Sequence, residues 1–254
     1  MSILERILST KRDELSELRA RRLPSPPPAP AFDLRRVPGE RLRLITEIKR
    51  RSPSAGELST KLSVTERAAA YERAGADAIS VLCDGAFFDG RYEHLLEARA
   101  GSQLPLLCKE FILDEVQLDA ARAFGASAAL LIVRCLEPER VEVLVREARA
   151  RGLEPLVEIT NHEEARIAVA AGATVIGVNA RDLDTLVMNV ERAREVLAQL
   201  PSTSVKLHLS GLSAPEAVLG VARSSADGAL MGEALMRADD PVPLLESFVR
   251  AARS

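Results

Sequence analysis

The chain of 254 residues lacks most of the features that announce a function directly. No apolar run approaches the length of a membrane span, so no membrane partner is expected. The three cysteines, Cys83, Cys108 and Cys135, are too scattered for a CxxC pair or a zinc site. Their odd number and unpaired spacing point to a reducing compartment. His94, His162 and His208 stand apart from one another and read as ordinary surface or satisfied core residues, so no metal site is legible. Charge is close to balanced, with 34 Lys+Arg against 37 Asp+Glu and a net charge of −3. That gives no support to nucleic-acid binding as a general role, and any anion site has to be built locally. There is no GxGxxG stretch, and neither Ser52 nor Ser210 has a base beside it to make it a nucleophile. The N-terminal MSILERILSTKRDELSELRARR is too charged for a signal peptide, and a cytoplasmic location is expected.

What remains is ordinary in composition, 47% hydrophobic and enough for a sizeable core, and strongly patterned. We read residues 1–254 as one domain. Ile3, Leu4, Ile7, Leu8, Leu15 and Leu18 follow a helical period with a charged opposite face, which predicts an amphipathic lid helix over residues 1–22. The proline-dense LPSPPPAPAF then ends it, within a connection spanning 23–41 that is extended rather than helical. From residue 42 short apolar runs recur at 42–48, 78–82, 104–108, 128–133, 154–159, 174–178, 205–209 and 228–231. Between them lie helical stretches at 65–76, 114–126, 137–152, 162–173, 191–200 and 214–225. Gly75 and Gly172 stand where a helix C-terminal cap precedes a strand. Such alternation means parallel strands joined by right-handed crossovers, and eight units fit an α/β (β/α)8 TIM barrel with an extra N-terminal helix.

In that architecture functional groups sit at the C-terminal ends of strands. Those ends carry Glu47 and Lys49, Asp84, Lys109, Arg134, Glu158, Asn179 and Arg181, then Ser210–Gly211 and Gly232–Glu233. Residues two apart on a strand share a face. Glu47 and Lys49 follow Ile45, Lys109 follows Leu107, Glu158 follows Leu156, and Arg134 follows Leu130 and Ile132. All are expected to converge on one mouth, while Asp84 reads as a solvated rim residue. Lysines beside carboxylates suit general acid–base work, because each shifts the other's proton affinity. The small loops at Ser210–Gly211 and Gly232–Glu233 occupy the barrel position where backbone N–H groups hold phosphate.

The ordered set EIKRRSPSAG, AISVLCDGAFFDG, LCKEFILD, LLIVR, PLVEIT, IGVNARDL, LSGL and MGEALMR resembles the indole-3-glycerol-phosphate synthase family of tryptophan biosynthesis. The resemblance runs over about residues 1–250 and includes the N-terminal extension. It implies a cofactor-free carboxy-lyase that turns 1-(2-carboxyphenylamino)-1-deoxyribulose 5-phosphate into indole-3-glycerol phosphate, CO2 and water. It implies Lys109 as general acid of ring closure, Glu158 as base and proton carrier of the dehydration, and Glu47 as the group orienting Lys109 and substrate. Lys49 and Ser52 fall on the substrate-binding side, and Asn179 on the substrate hydroxyls. Arg181, Ser210, Gly211, Gly232 and Glu233 fall on the phosphate side. Phe88, Phe111 and Leu130 would wall the anthranilate ring. The partner implied is a phosphorylated small molecule, bound by a monomer or weak homo-oligomer.

The sequence departs from the family pattern in three places. Leu209 stands where strand seven ordinarily ends in Glu-Ser-Gly, so an active-site carboxylate is missing. Glu110 replaces an aspartate, and Cys83-Asp84-Gly85 replaces Thr-Asp-Glu. Leu209 leaves open an alternative, a catalytically weakened or regulatory paralogue. A related phosphate-sugar barrel isomerase is the other alternative, disfavoured by the Lys109/Glu158 pairing and the SPS turn.

Overall fold

A computed structural model describes residues 2–53 and 56–253. Ser54 of the expected SPS turn lies outside the described residues. The chain opens with α1 (Ile3–Ala20) and then alternates strands and helices from β1 (Arg43–Ile48) onward. A short hairpin of β2 (Arg51–Ser52) and β3 (Gly56–Glu57) leads to α2 (Val64–Arg73) and β4 (Ala78–Leu82). Next come α3 (Gly85–Phe88), α4 (Glu93–Gly101), β5 (Leu106–Lys109), α5 (Glu115–Ala123) and β6 (Ala128–Ile132). A 3-10 turn at Val133–Cys135 precedes α6 (Pro138–Ala150), β7 (Glu154–Ile159), α7 (His162–Ala170) and β8 (Val175–Asn179). The last units are α8 (Val190–Gln199), β9 (Val205–Leu209), α9 (Pro215–Ala222), β10 (Gly228–Met231), α10 (Glu233–Arg237) and α11 (Val242–Ala251).

Eight strands, all but β2 and β3, close a barrel in which every neighbouring pair is parallel; β1 pairs with both β4 and β10. The architecture is the TIM barrel expected from the eight apolar runs. Local sequence sets the ends of its helices. Ser2 with Glu5, Ser63 with Glu66 and Asp114 with Gln117 form capping boxes at the starts of α1, α2 and α5. Gly75 and Gly172 take φ of 92° and 76° after α2 and α7, the left-handed geometry a side chain disfavours.

Strand parity divides the core in two. Ile45, Leu107, Leu130, Leu156, Leu207, Leu209 and Leu230 belong to an inner cluster. Ile48, Ile79, Leu106, Leu131, Val157, Ile176 and Ala229 belong to an outer one, between the strands and the helices. The inner cluster also takes in Leu4 and Ile7 from α1, and Phe32 and Leu34 from the connection.

The proline-rich connection passes from one end of the barrel to the other. Arg19 pairs with Asp114 and Arg21 with Glu93, both at helix starts near the strand C-termini. Pro27 then meets the far end of α5, where its carbonyl accepts from Arg122. Arg35 and Arg36 reach Ser202, Thr203, Ala222 and Asp227, in the turns that feed β9 and β10. What seats α1 is chiefly apolar burial, about 1.5–3 kcal/mol for each fully buried Leu or Ile. Its exposed ion pairs add about 0–1 kcal/mol each. Among the described residues no helix is long and apolar enough to cross a membrane.

Candidate active site

At the C-terminal mouth of the barrel lies a cavity of about 680 Å3. Every residue to which the family resemblance gave a place in the site lines it: Glu47, Lys49, Ser52, Phe88, Lys109, Phe111, Leu130, Glu158, Asn179, Arg181, Ser210, Gly211, Gly232 and Glu233. Two ion pairs lie in its lining. Lys49 Nζ donates to Glu47 Oε1 at 2.6 Å, and Lys109 Nζ lies 3.4 Å from Glu158 Oε2. Glu47, expected to orient Lys109, therefore spends its hydrogen bond on Lys49. Burial is the largest influence on the Glu47 carboxyl and would raise its pKa. Lys49, Lys109 and Arg181 together outweigh that and hold it below its ordinary value of 4.5.

Asn179 fixes the other carboxylate. Its Oδ1 accepts from the Arg181 N–H at 2.9 Å and from the Ser210 hydroxyl, which leaves Nδ2 to donate to Glu158 Oε1 at 2.9 Å. Both acceptor positions of the amide oxygen are used, so the amide has one orientation. Ser210 reaches Asn179 from a left-handed conformation, φ 68°, followed by Gly211 at 82°. The serine carries that strain at the site itself. Gly232 is needed for room, since a Cβ there would lie 2.4 Å from Glu47 Oε1.

The apolar side of the cavity is larger than the sequence indicated. Phe88 and Phe111 stand with centroids 6.1 Å apart, tilted by 37°, and Leu130 and Ile132 lie in the same wall. Ile3, Leu4 and Ile7 of α1 form part of the lining, as do Leu183, Leu186 and Met188 after β8. The period of α1 showed an apolar face, but nothing in the sequence said what that face would cover. Leu209 packs over Gly177, where an added Cβ would lie 2.5 Å from Leu209 Cδ1.

Two expectations are overturned. Arg134 does not join the mouth. Strand β6 ends at Ile132 and the chain turns into the 3-10 segment, so alternation no longer applies two residues on. The guanidinium instead bonds Glu164, Asp182 and Thr160 at 3.2, 2.9 and 3.0 Å, tying together the loops after β6, β7 and β8. Asp84 is not a solvated rim residue but fully buried. It caps α3, accepting from the Phe87 and Phe88 N–H groups, and lies 2.8 Å from Lys11 Nζ.

Lys11 also donates to Glu110 at 3.2 Å and to Glu14 at 2.7 Å. Burial would lower the Lys11 pKa, but Glu110 and Asp84 more than reverse it and raise it above the usual lysine range. Burial dominates at Glu110 and, despite Lys11, pushes its carboxyl from 4.5 to about 7. Among the described residues no group of three or more His, Cys, Asp or Glu is arranged to hold a metal ion. His94 and His208 are buried and His162 is not, and none of the three lines the cavity.

A (β/α)8 barrel with two lysine–glutamate pairs and an aromatic wall lining the cavity at its C-terminal mouth has the form of a barrel enzyme. Comparison with known proteins narrows the class. A sequence model of the indole-3-glycerol phosphate synthase family matches residues 4–248. The indole-3-glycerol phosphate synthase of an Exiguobacterium species is 41% identical over 248 residues, covering 98% of this chain and 96% of that protein. The one from Geobacillus thermodenitrificans is 41% identical over 244 residues, covering 94% and 93%. The chain belongs to the indole-3-glycerol phosphate synthase family, a carboxy-lyase of tryptophan biosynthesis. Solved structures repeat the fold at low identity. The tryptophan synthase alpha subunit of Legionella pneumophila superposes with a TM-score of 0.62 at 16% identity, covering 99% of this chain and 98% of that one. The 3-hexulose-6-phosphate synthase of Salmonella typhimurium gives 0.65 at 14% identity, covering 83% and 98%.

Proposed function

We propose that Lys109 and Glu158 are the acid–base pair with which this chain closes and dehydrates the indole ring of 1-(2-carboxyphenylamino)-1-deoxyribulose 5-phosphate. The observation that carries the reading is their position. The ammonium and the carboxylate stand 3.4 Å apart beside the Phe88–Phe111 wall, each still able to meet a ligand. Ring closure joins the aromatic carbon that bears the carboxylate to the sugar carbonyl, whose oxygen needs a proton as it becomes a hydroxyl. Lys109 supplies that proton. Loss of CO2 then leaves the bonding electrons in the ring system. Departure of the hydroxyl as water needs a second proton on oxygen, which Lys109 gives once it has regained one from solvent, and a base to take the remaining ring proton; Glu158 takes it. Phe88, Phe111 and Leu130 receive the anthranilate ring, and Asn179 meets the sugar hydroxyls.

Lys49, neutralised in part by Glu47, contacts the substrate carboxylate, with Ser52 beside it. The phosphate lies between Ser210–Gly211 and Gly232–Glu233, near Arg181. The Glu233 side chain is turned to Arg237 at 3.0 Å, which spares the anion its repulsion. The N-terminal helix serves as the lid of this site, and the whole chain as one domain.

Leu209 favours a second reading, a member with weakened turnover, against which the assembled Glu47, Lys109 and Glu158 stand. One experiment tests the assignment. The chain has no tryptophan, so indole fluorescence reports product without background. Glu158→Gln is expected to release CO2 without matching indole fluorescence, and product formation falls by about 10²–10⁴-fold. Undiminished fluorescence would remove Glu158 from the dehydration. Wild-type binding without turnover would favour the second reading.

A further inference from the structure

The Lys11 cluster takes no part in the chemistry above, yet it is the most deeply buried ionic group beside the cavity. Lys11 is 2% exposed, Asp84 0% and Glu110 3%. Stability alone does not call for such a cluster, because apolar side chains of similar volume serve as well or better. What the cluster supplies is geometry. Asp84 Oδ1 accepts from the N–H groups of Phe87 and Phe88 at 2.7 and 3.1 Å, while its Oδ2 faces Lys11 at 2.8 Å. Glu110 Oε1 accepts from the Phe111 N–H at 2.7 Å, while its Oε2 faces Lys11 at 3.2 Å. A single ammonium thus holds the two carboxylates that fix the backbone under both rings of the aromatic wall. The same helix carries Ile7 one turn earlier and Ile3 and Leu4 two turns earlier, all lining the cavity.

We propose that Lys11 is a positioning residue for the reaction, coupling the seat of the covering helix to the Phe88–Phe111 wall through Asp84 and Glu110. The inference rests on the reading that this wall receives the aromatic ring of the substrate. Lys109 is affected less, because Lys109 is paired in register with Leu82 and its carbonyl accepts from the Cys83 N–H at 3.0 Å. Losing the ammonium therefore loosens ring capture and leaves the acid in place.

Steady-state kinetics of the full chain, followed by product fluorescence, test this. Lys11→Met is expected to raise KM by about tenfold while kcat changes by less than about threefold. Lys11→Arg, which keeps the charge, recovers part of the loss. Phe88→Ala raises KM by itself, and adding Lys11→Met to it raises KM no further, as coupled residues do. Should Lys11→Met fail to fold, the pair Lys11→Gln with Glu110→Gln carries the same comparison without leaving the Glu110 carboxylate buried and unpaired. A raised KM in Phe88→Ala with a fully additive loss from Lys11→Met would overturn the proposal alone. So would a fall in kcat that tracks the melting temperature. An unchanged KM in Phe88→Ala would overturn the ring-site reading, and this proposal with it.

Discussion

Lys11 and Lys109 both aim an ammonium group at glutamate carboxylates in the same sector of the barrel. Lys11 is sealed, with Glu14, Asp84 and Glu110 at 2.7, 2.8 and 3.2 Å and a side chain 2% exposed. Lys109 has Glu158 at 3.4 Å and is 18% exposed. The same residue types therefore do opposite work. Close, buried partners commit a charge to the fold, since removing Lys11 strands Asp84 and Glu110 in a dry interior. A long, single contact at an open mouth leaves donor capacity for a ligand that brings its own charge.

The contrast breaks most sharply at the loose lysine. Lys109→Ala is expected to lower kcat by about 10²–10⁴-fold with little change in melting temperature. Turnover above half of wild type would show that openness is not what marks the working lysine. Leu209→Glu should act in the other direction, raising kcat by at most about 10²-fold if a carboxylate beside Asn179 adds an auxiliary acid–base group. An unchanged kcat would make Leu209 a bystander.

The sealed cluster answers to pH rather than to turnover. The Glu110 carboxyl is raised from 4.5 to about 7, so the stability it lends is present at low pH and is lost as pH rises through about 7. Between pH 5 and 8 the wild-type melting temperature should therefore drop relative to Glu110→Gln. A few degrees are expected, since 1 kcal/mol shifts a domain of this size by about 2–4 °C. Parallel profiles would show that Glu110 keeps its charge throughout. The smallest effect belongs to a pair exposed on the same helix. Arg19→Ala removes the contact with Asp114 at 2.6 Å, and its cost should stay within about 1 kcal/mol. A larger loss would mean that burial is not what separates the two kinds of ion pair.

How far the sequence could be read depended on how regular the backbone was. Wherever a strand continued, alternation placed side chains correctly, and Glu47, Lys109 and Glu158 line the mouth with Ile45, Leu107 and Leu156 below them. Alternation failed at Arg134, two residues beyond the end of β6, because a 3-10 turn does not keep a period of two. Asp84 was misjudged for a different reason. Its burial depends on Lys11, 73 positions earlier, and no local pattern connects a lysine on a helix to an acid after a strand. Leu183, Leu186 and Met188 escaped notice because a loop wall has no period. The short helix α3 and the β2–β3 hairpin went unread in the same way, each being too short to repeat, and α4 went unread because its apolar residues do not gather on one face.

The segment at residues 32–36 has a consequence for the order in which the molecule is assembled. On the ribosome it is made before any barrel strand, yet Arg35 and Arg36 bind carbonyls and a carboxylate 167 to 191 positions later. Those groups lie in the turns that feed β9 and β10, so the segment has no docking place until almost the whole chain has emerged. Phe32 and Leu34 must meanwhile remain outside the inner cluster they later join. Closing the sheet between β10 and β1 and seating the strap beneath it then become one late step, with a long-range loop to close. The residues that leave the ribosome early are among the last to find their partners.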